Sequence, residues 1–70
     1  MQMKRFQQGL PVYIDYPFES VMFRWDDGRV WSKWYGESFE TERPESSDLF
    51  HQAILAGDEI TAEQYRRGKI

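Results

Sequence analysis

No cysteine occurs in this chain, histidine occurs once, and no hydrophobic run approaches the length of a membrane span. Each absence removes a class of explanation. Without cysteine there is no disulfide and no thiolate metal site to support a small core. Without about 18 consecutive apolar residues there is no spanning helix. The N-terminus, Met1 to Gln8, is polar and lacks the apolar segment of a signal peptide. Together these features predict a cytoplasmic protein. The glycines at 9, 28, 36, 57 and 68 are isolated, so no phosphate-cradling loop is present. Basic residues are outnumbered by acidic ones, giving a net charge of −3. That balance argues against a general nucleic-acid binder, which needs a basic surface for phosphates.

The catalytic candidates fail on the same grounds. His51 stands alone, and a hydrolytic or metal site needs partners arranged around it. Asp26 and Asp27 lack the alternating spacing and closing glutamate of a calcium loop and are ordinary turn residues. Glu37, Glu40, Glu42 and Glu45 could supply a carboxylate pair, but 70 residues leave little room for a sugar-sized pocket beside a core. The chain is therefore expected to be no enzyme, with no catalytic residue, no metal and no cofactor.

What the sequence does have is aromatic side chains: five Phe, four Tyr and three Trp, or 17% of the residues. A domain this short hides only about 60% of its unfolded surface, and large rings are one way to fill its core. All three tryptophans fall in Val21 to Tyr35. This stretch predicts a β-hairpin turning at Asp26-Asp27-Gly28, the organising element of the fold. A two-residue type I′ turn at Asp27-Gly28 would pair Trp25 with Val30, placing Val30, Ser32 and Trp34 on the face of Val21, Phe23 and Trp25. A bulged turn would pair Trp25 with Arg29 and exchange the faces. The first register gives the more apolar face and is preferred. It leaves Met22, Arg24, Trp31, Lys33 and Tyr35 on the outer face, either covered by the tail or forming an aromatic-cationic patch.

The rest of the chain follows in order. Residues 1–10 are polar and expected to fray, with a short edge strand or basic arm as the alternative. Val12 to Tyr16 alternates as a strand, and Pro11 before it favours a sheet edge. Residues 37–46 form an acidic loop with Phe39 as an anchor; it is either solvated or engages a basic partner. Ser47 can cap a helix whose apolar stripe is Leu49, Phe50, Ala53 and Ile54, with Gly57 as a left-handed C-terminal residue. Thr61 to Gln64 is a capping box, and Ile60 and Tyr65 stand where a hydrophobic staple would form. The expectation is one α+β domain spanning 1–70. A three-stranded antiparallel sheet (11–36) is followed by the acidic loop (37–46) and two short helices (47–70) packed on one face.

Trp25-Asp26-Asp27-Gly28-Arg29-Val30-Trp31 and the tail Phe50 to Thr61 resemble small accessory proteins of tailed bacteriophages and prophages in style. The resemblance implies a host protein as partner, a role blocking a bacterial enzyme or defence complex, and residence in host cytoplasm. From the residues themselves, the surplus of aromatics over one sheet face predicts a protein-binding module using Met22, Arg24, Trp31, Lys33 and Tyr35, with Glu40 and Glu42 at the rim. Two alternatives use the same face: single-strand nucleic-acid binding by stacking, and a homodimer interface.

Overall fold

The computed structural model describes residues 8–69. The frayed or basic arm expected over residues 1–10 therefore falls mostly outside the described residues. Five strands form one antiparallel sheet: β1 Val12–Tyr16, β2 Val21–Asp26, β3 Arg29–Trp34, β4 Thr41–Arg43 and β5 Asp58–Ile60, in the order β4-β3-β2-β1-β5. Two helices complete it, α1 Asp48–Ala56 and α2 Ala62–Arg67. None of the described residues forms a helix long and apolar enough to cross a membrane.

The hairpin adopts the preferred register, with Trp25 opposite Val30 and Asp26 opposite Arg29. Asp27 (φ 52°) and Gly28 (φ 75°) both have positive φ, as a type I′ turn requires. One sheet face then presents Val12, Ile14, Tyr16, Val21, Phe23 and Val30, all buried, against Phe50 and Ala53 of α1. Trp25, Trp34, Leu49 and Ile54 border this core, and the Phe23 and Phe50 rings lie 5.6 Å apart. Ser47 caps α1, its Oγ accepting the Phe50 N–H at 3.4 Å.

Three expectations need correction. First, the sheet has five strands, not three. Thr41–Arg43 within the acidic loop adds to β3, with Trp31 opposite Glu42 and Val30 opposite Arg43. Cross-strand pairing drives this: Arg29 grips Glu42, and Arg43 Nε donates to Ser32 Oγ at 2.9 Å. Second, β1 is interior, because Asp58–Ile60 pairs with Tyr13–Asp15 along its other side. Pro11 precedes the ladder and so does not interrupt it. Third, the helices pack on opposite faces. The chain leaves α1 on the apolar face, runs as β5 along the sheet edge, and emerges on the other face as α2. There Tyr65 packs on Tyr13, ring centroids 5.4 Å apart. The capping box is formed: Thr61 N–H donates to Gln64 Oε1 and Gln64 N–H to Thr61 Oγ1.

Gly57 also differs from expectation. Its φ of −85° and ψ of −179° are extended, so no left-handed turn ends α1. Glycine is required here by space. A Cβ would lie 2.6 Å from Ala53 O, 2.8 Å from Asp15 O and 2.8 Å from Ile14 Cγ2.

Candidate protein-binding face

The register that buries Phe23 places Met22, Arg24, Trp31 and Lys33 on the opposite face, and α2 divides that face into a closed part and an open part. In the closed part Met22 is fully buried and Lys33 nearly so. Lys33 Nζ donates to the carbonyls of Tyr65 and, at 3.3 Å, Arg66. These belong to the last turn of α2, where unpaired carbonyls attract a cation. Tyr35 donates its hydroxyl to Asp15, whose other carboxylate oxygen accepts from Lys69 Nζ at 2.5 Å. Asp15 is only 4% exposed, and a buried carboxylate requires such partners. Lys33 directly, and Tyr35 through Asp15 and Lys69, thus hold the tail onto the sheet; neither Met22 nor Lys33 belongs to an open outer surface. Tail packing, invisible in the spacing of β2 and β3, decides this.

The Tyr35 and Tyr65 phenols are both pushed above their ordinary pKa, by burial first and then by Asp15 and Glu40 respectively. The Tyr65 hydroxyl faces the Glu40 carboxylate without closing a short hydrogen bond, and that carboxylate opposes its ionisation as a hydrogen-bonding neighbour and as a charge. A phenol that ionises less readily in the fold than in the unfolded chain contributes stability below the ordinary value of 10.0. That contribution is lost as pH rises beyond it. Thermal melts should therefore show a midpoint that holds to about pH 9.5 and falls above about pH 10, with a shallower fall for Tyr65→Phe. Equal alkaline slopes for the two proteins would refute a role for Tyr65.

The open part is a ladder of charges around one ring. Arg24 lies over Trp31 with its guanidinium carbon 3.9 Å from the ring centroid, and Arg29 approaches to 5.3 Å. Arg24 binds Glu40 through two bonds, 2.7 and 2.9 Å, and reaches Asp26 at 3.3 Å. Arg29 binds Glu42 the same way, both bonds at 2.9 Å. Hydrogen bonding to its arginine holds each glutamate below the usual carboxylate range, and each arginine is raised in turn. Bidentate geometry fixes both planes, so Trp31 is displayed on a pre-organised, half-buried platform.

Arg24, Trp31 and the expected rim residues Glu40 and Glu42 are therefore one surface, joined by ion pairs. Two arginines face Glu40, Glu42 and Asp26, so the ladder carries no positive surplus to attract phosphate. Beside it, between α2 and the segment before β4, lies a groove of about 550 Å³ lined in part by Tyr13, Arg24, Ser38, Glu40, Tyr65 and Arg66. Tyr13, Ser38, Tyr65 and Arg66 had no signal as site residues, because nothing in the sequence showed that α2 returns to this face. Arg29 could have been found, being on the same strand face as Trp31.

A family model described as Tis1 immunity protein matches residues 2–69. An "Immune protein Tis1" from Pseudomonas aeruginosa (strain UCBPP-PA14) is 43% identical over 60 residues, covering 81% of this chain and 78% of that protein. A chain in the crystal structure of the complex between the Type VI effector Tas1 and its immunity protein superposes with a TM-score of 0.79. It is 40% identical and the match covers 84% of this chain and 82% of that one. These matches overturn the phage and prophage resemblance, and with it the viral, host-directed setting: the relatives are bacterial immunity proteins, which are not enzymes. The likeness to phage proteins rested on small size, acidity and aromatic content, which unrelated small binding domains share. By a match over nearly its whole length, the chain belongs to the Tis1 immunity protein family.

Proposed function

We propose that this protein binds and neutralises a Type VI effector of the Tas1 kind, using the Trp31 ladder and the adjoining groove as its contact surface. The observation that carries the reading is the match, at 40% identity and a TM-score of 0.79, to a chain from an effector–immunity complex. The face itself supplies the physical support. Trp31 and Arg24 are of the residue types that dominate interface hot spots, and their ion pairs hold them in place before a partner arrives, which lowers the entropic cost of binding. The nucleic-acid alternative relied on free cations beside Trp31, and Arg24 and Arg29 there are paired with Glu40, Asp26 and Glu42; no feature favours a homodimer.

The test is direct. Mixed with purified Tas1, the protein should elute as a stable complex by size exclusion with light scattering. Bacteria producing Tas1 should survive when this chain is co-produced. A protein that remains monomeric beside Tas1 and gives no protection would overturn the proposal. Recovery of a homodimer alone would support the third reading instead.

A further inference from the structure

We infer that the groove between α2 and the Ser38–Glu40 segment receives a carboxylate side chain, Asp or Glu, of the bound effector. The inference rests on the proposed function and names the chemistry of one part of its contact surface.

Three observations converge. The first is charge. In a chain of net charge −3, the groove and the smaller one of about 240 Å³ that continues from it bring together Arg24, Lys33, Arg66, Arg67 and Lys69 against Glu37 and Glu40. Asp15, Asp26, Glu40 and Glu63 pair with Lys69, Arg24 and Arg67, which leaves Lys33 and Arg66 against Glu37, a small local positive surplus of the kind that draws a negative group into a cleft. The second is vacancy of one cation. Arg24 is held by Glu40, Lys69 by Asp15, Lys33 by the α2 carbonyls and Arg67 by Glu63. Among the described residues Arg66 makes no ion pair through its side chain, although it lines both grooves.

The third observation is Tyr65. Its residue is 4% exposed, it lines the groove, and its hydroxyl faces Glu40 without closing a hydrogen bond. A buried hydroxyl left unpaired is costly, and native proteins rarely keep one without a reason. A carboxylate entering between Arg66 and the Ser38 hydroxyl would accept from all three groups: guanidinium, serine and phenol. Glu40 does not repel it strongly, because both of its oxygens are already engaged by Arg24.

The inference predicts opposite effects of one substitution on fold and complex. Tyr65→Phe keeps the ring on Tyr13 and removes the orphan hydroxyl. The free protein should melt at the same or a higher temperature at pH 7, while affinity for Tas1 falls about tenfold, as for a lost bond to a charged group. Arg66→Glu should lower affinity by roughly thirtyfold or more. An Asp or Glu to Lys scan of Tas1 should find one position that restores binding to Arg66→Glu.

If wild type and Trp31→Ala differ in affinity but Tyr65→Phe and Arg66→Glu both match wild type, the groove inference fails and the proposed function stands. If wild type does not bind Tas1 at all, both fall. Tight binding of inorganic phosphate or a mononucleotide to the isolated protein, abolished by Arg66→Glu, would replace the carboxylate with a small-anion site and overturn the inference.

Discussion

Alanine at Gly57 is expected to lower the stability of this domain by about 3 kcal/mol, the upper end of what overpacking costs. Small domains hold only about 0.05–0.15 kcal/mol per residue, so this would remove a large share of the total. The cause is not backbone strain: φ of −85° and ψ of −179° suit any residue, and alanine even restricts the unfolded chain. The cause is that α1 ends against β1. A methyl group at 57 would press on Ala53 O and Asp15 O at 2.6 and 2.8 Å, and on Ile14 Cγ2 at 2.8 Å. Two of these are backbone atoms that cannot swing aside. Asp15 is paired on both sides in the sheet interior, and Ile14 is wholly buried.

Gly28→Ala provides the contrast. Gly28 has φ of 75° and open space around its Cβ position, so alanine there should cost only the left-handed conformation, about 1–2 kcal/mol. Urea titration of the two variants decides the matter. A loss below 1 kcal/mol at Gly57 would mean that α1 can slide on the sheet, and the packing at that corner would have to be reconsidered.

Trp31→Ala should weaken the complex with Tas1 by about 2 kcal/mol or more, roughly 30-fold, as truncation of a central aromatic anchor does. Arg24 and Arg29 both lie against the ring, and these arginines are held by Glu40 and Glu42. Removing it leaves a gap in the platform and frees both guanidiniums to move. Stability should suffer less. Surface cation–π contacts contribute about 0.5–1 kcal/mol, which is a few degrees of melting temperature for a domain of this size. Titration calorimetry beside a thermal melt separates the two effects. A melting temperature lowered by tens of degrees would place Trp31 among the structural residues, and an unchanged affinity would move the contact surface elsewhere.

The hairpin, its register and its turn were legible because they depend on neighbours in sequence. Asp27-Gly28 accepts positive φ at low cost, and only one register gathers Val21, Phe23, Trp25 and Val30 on a single face. The caps of both helices were legible for the same reason, since Ser47 and Thr61 act on N–H groups three residues away. The two missed strands had no local signal. Thr41-Glu42-Arg43 and Asp58-Glu59-Ile60 are mostly charged, and each becomes a strand only because an existing edge offers it hydrogen bonds.

The candidate face divides along the same line. The sequence placed Arg24 and Trp31 together, since alternation along paired strands puts them on one side. It could not show that Glu40 and Glu42 return from the next segment to neutralise the arginines, nor that Lys33 and Met22 disappear beneath α2. The sequence by itself determined the apolar face, the turn and the helix starts, because side-chain alternation and capping act over a few residues. The tertiary structure alone decided which side of the sheet the last helix covers, which charges are paired and where a groove remains open. Those depend on how distant segments meet: β5 carries the chain around the sheet edge and places Tyr65 and Arg66 beside Arg24, more than forty positions earlier in the chain.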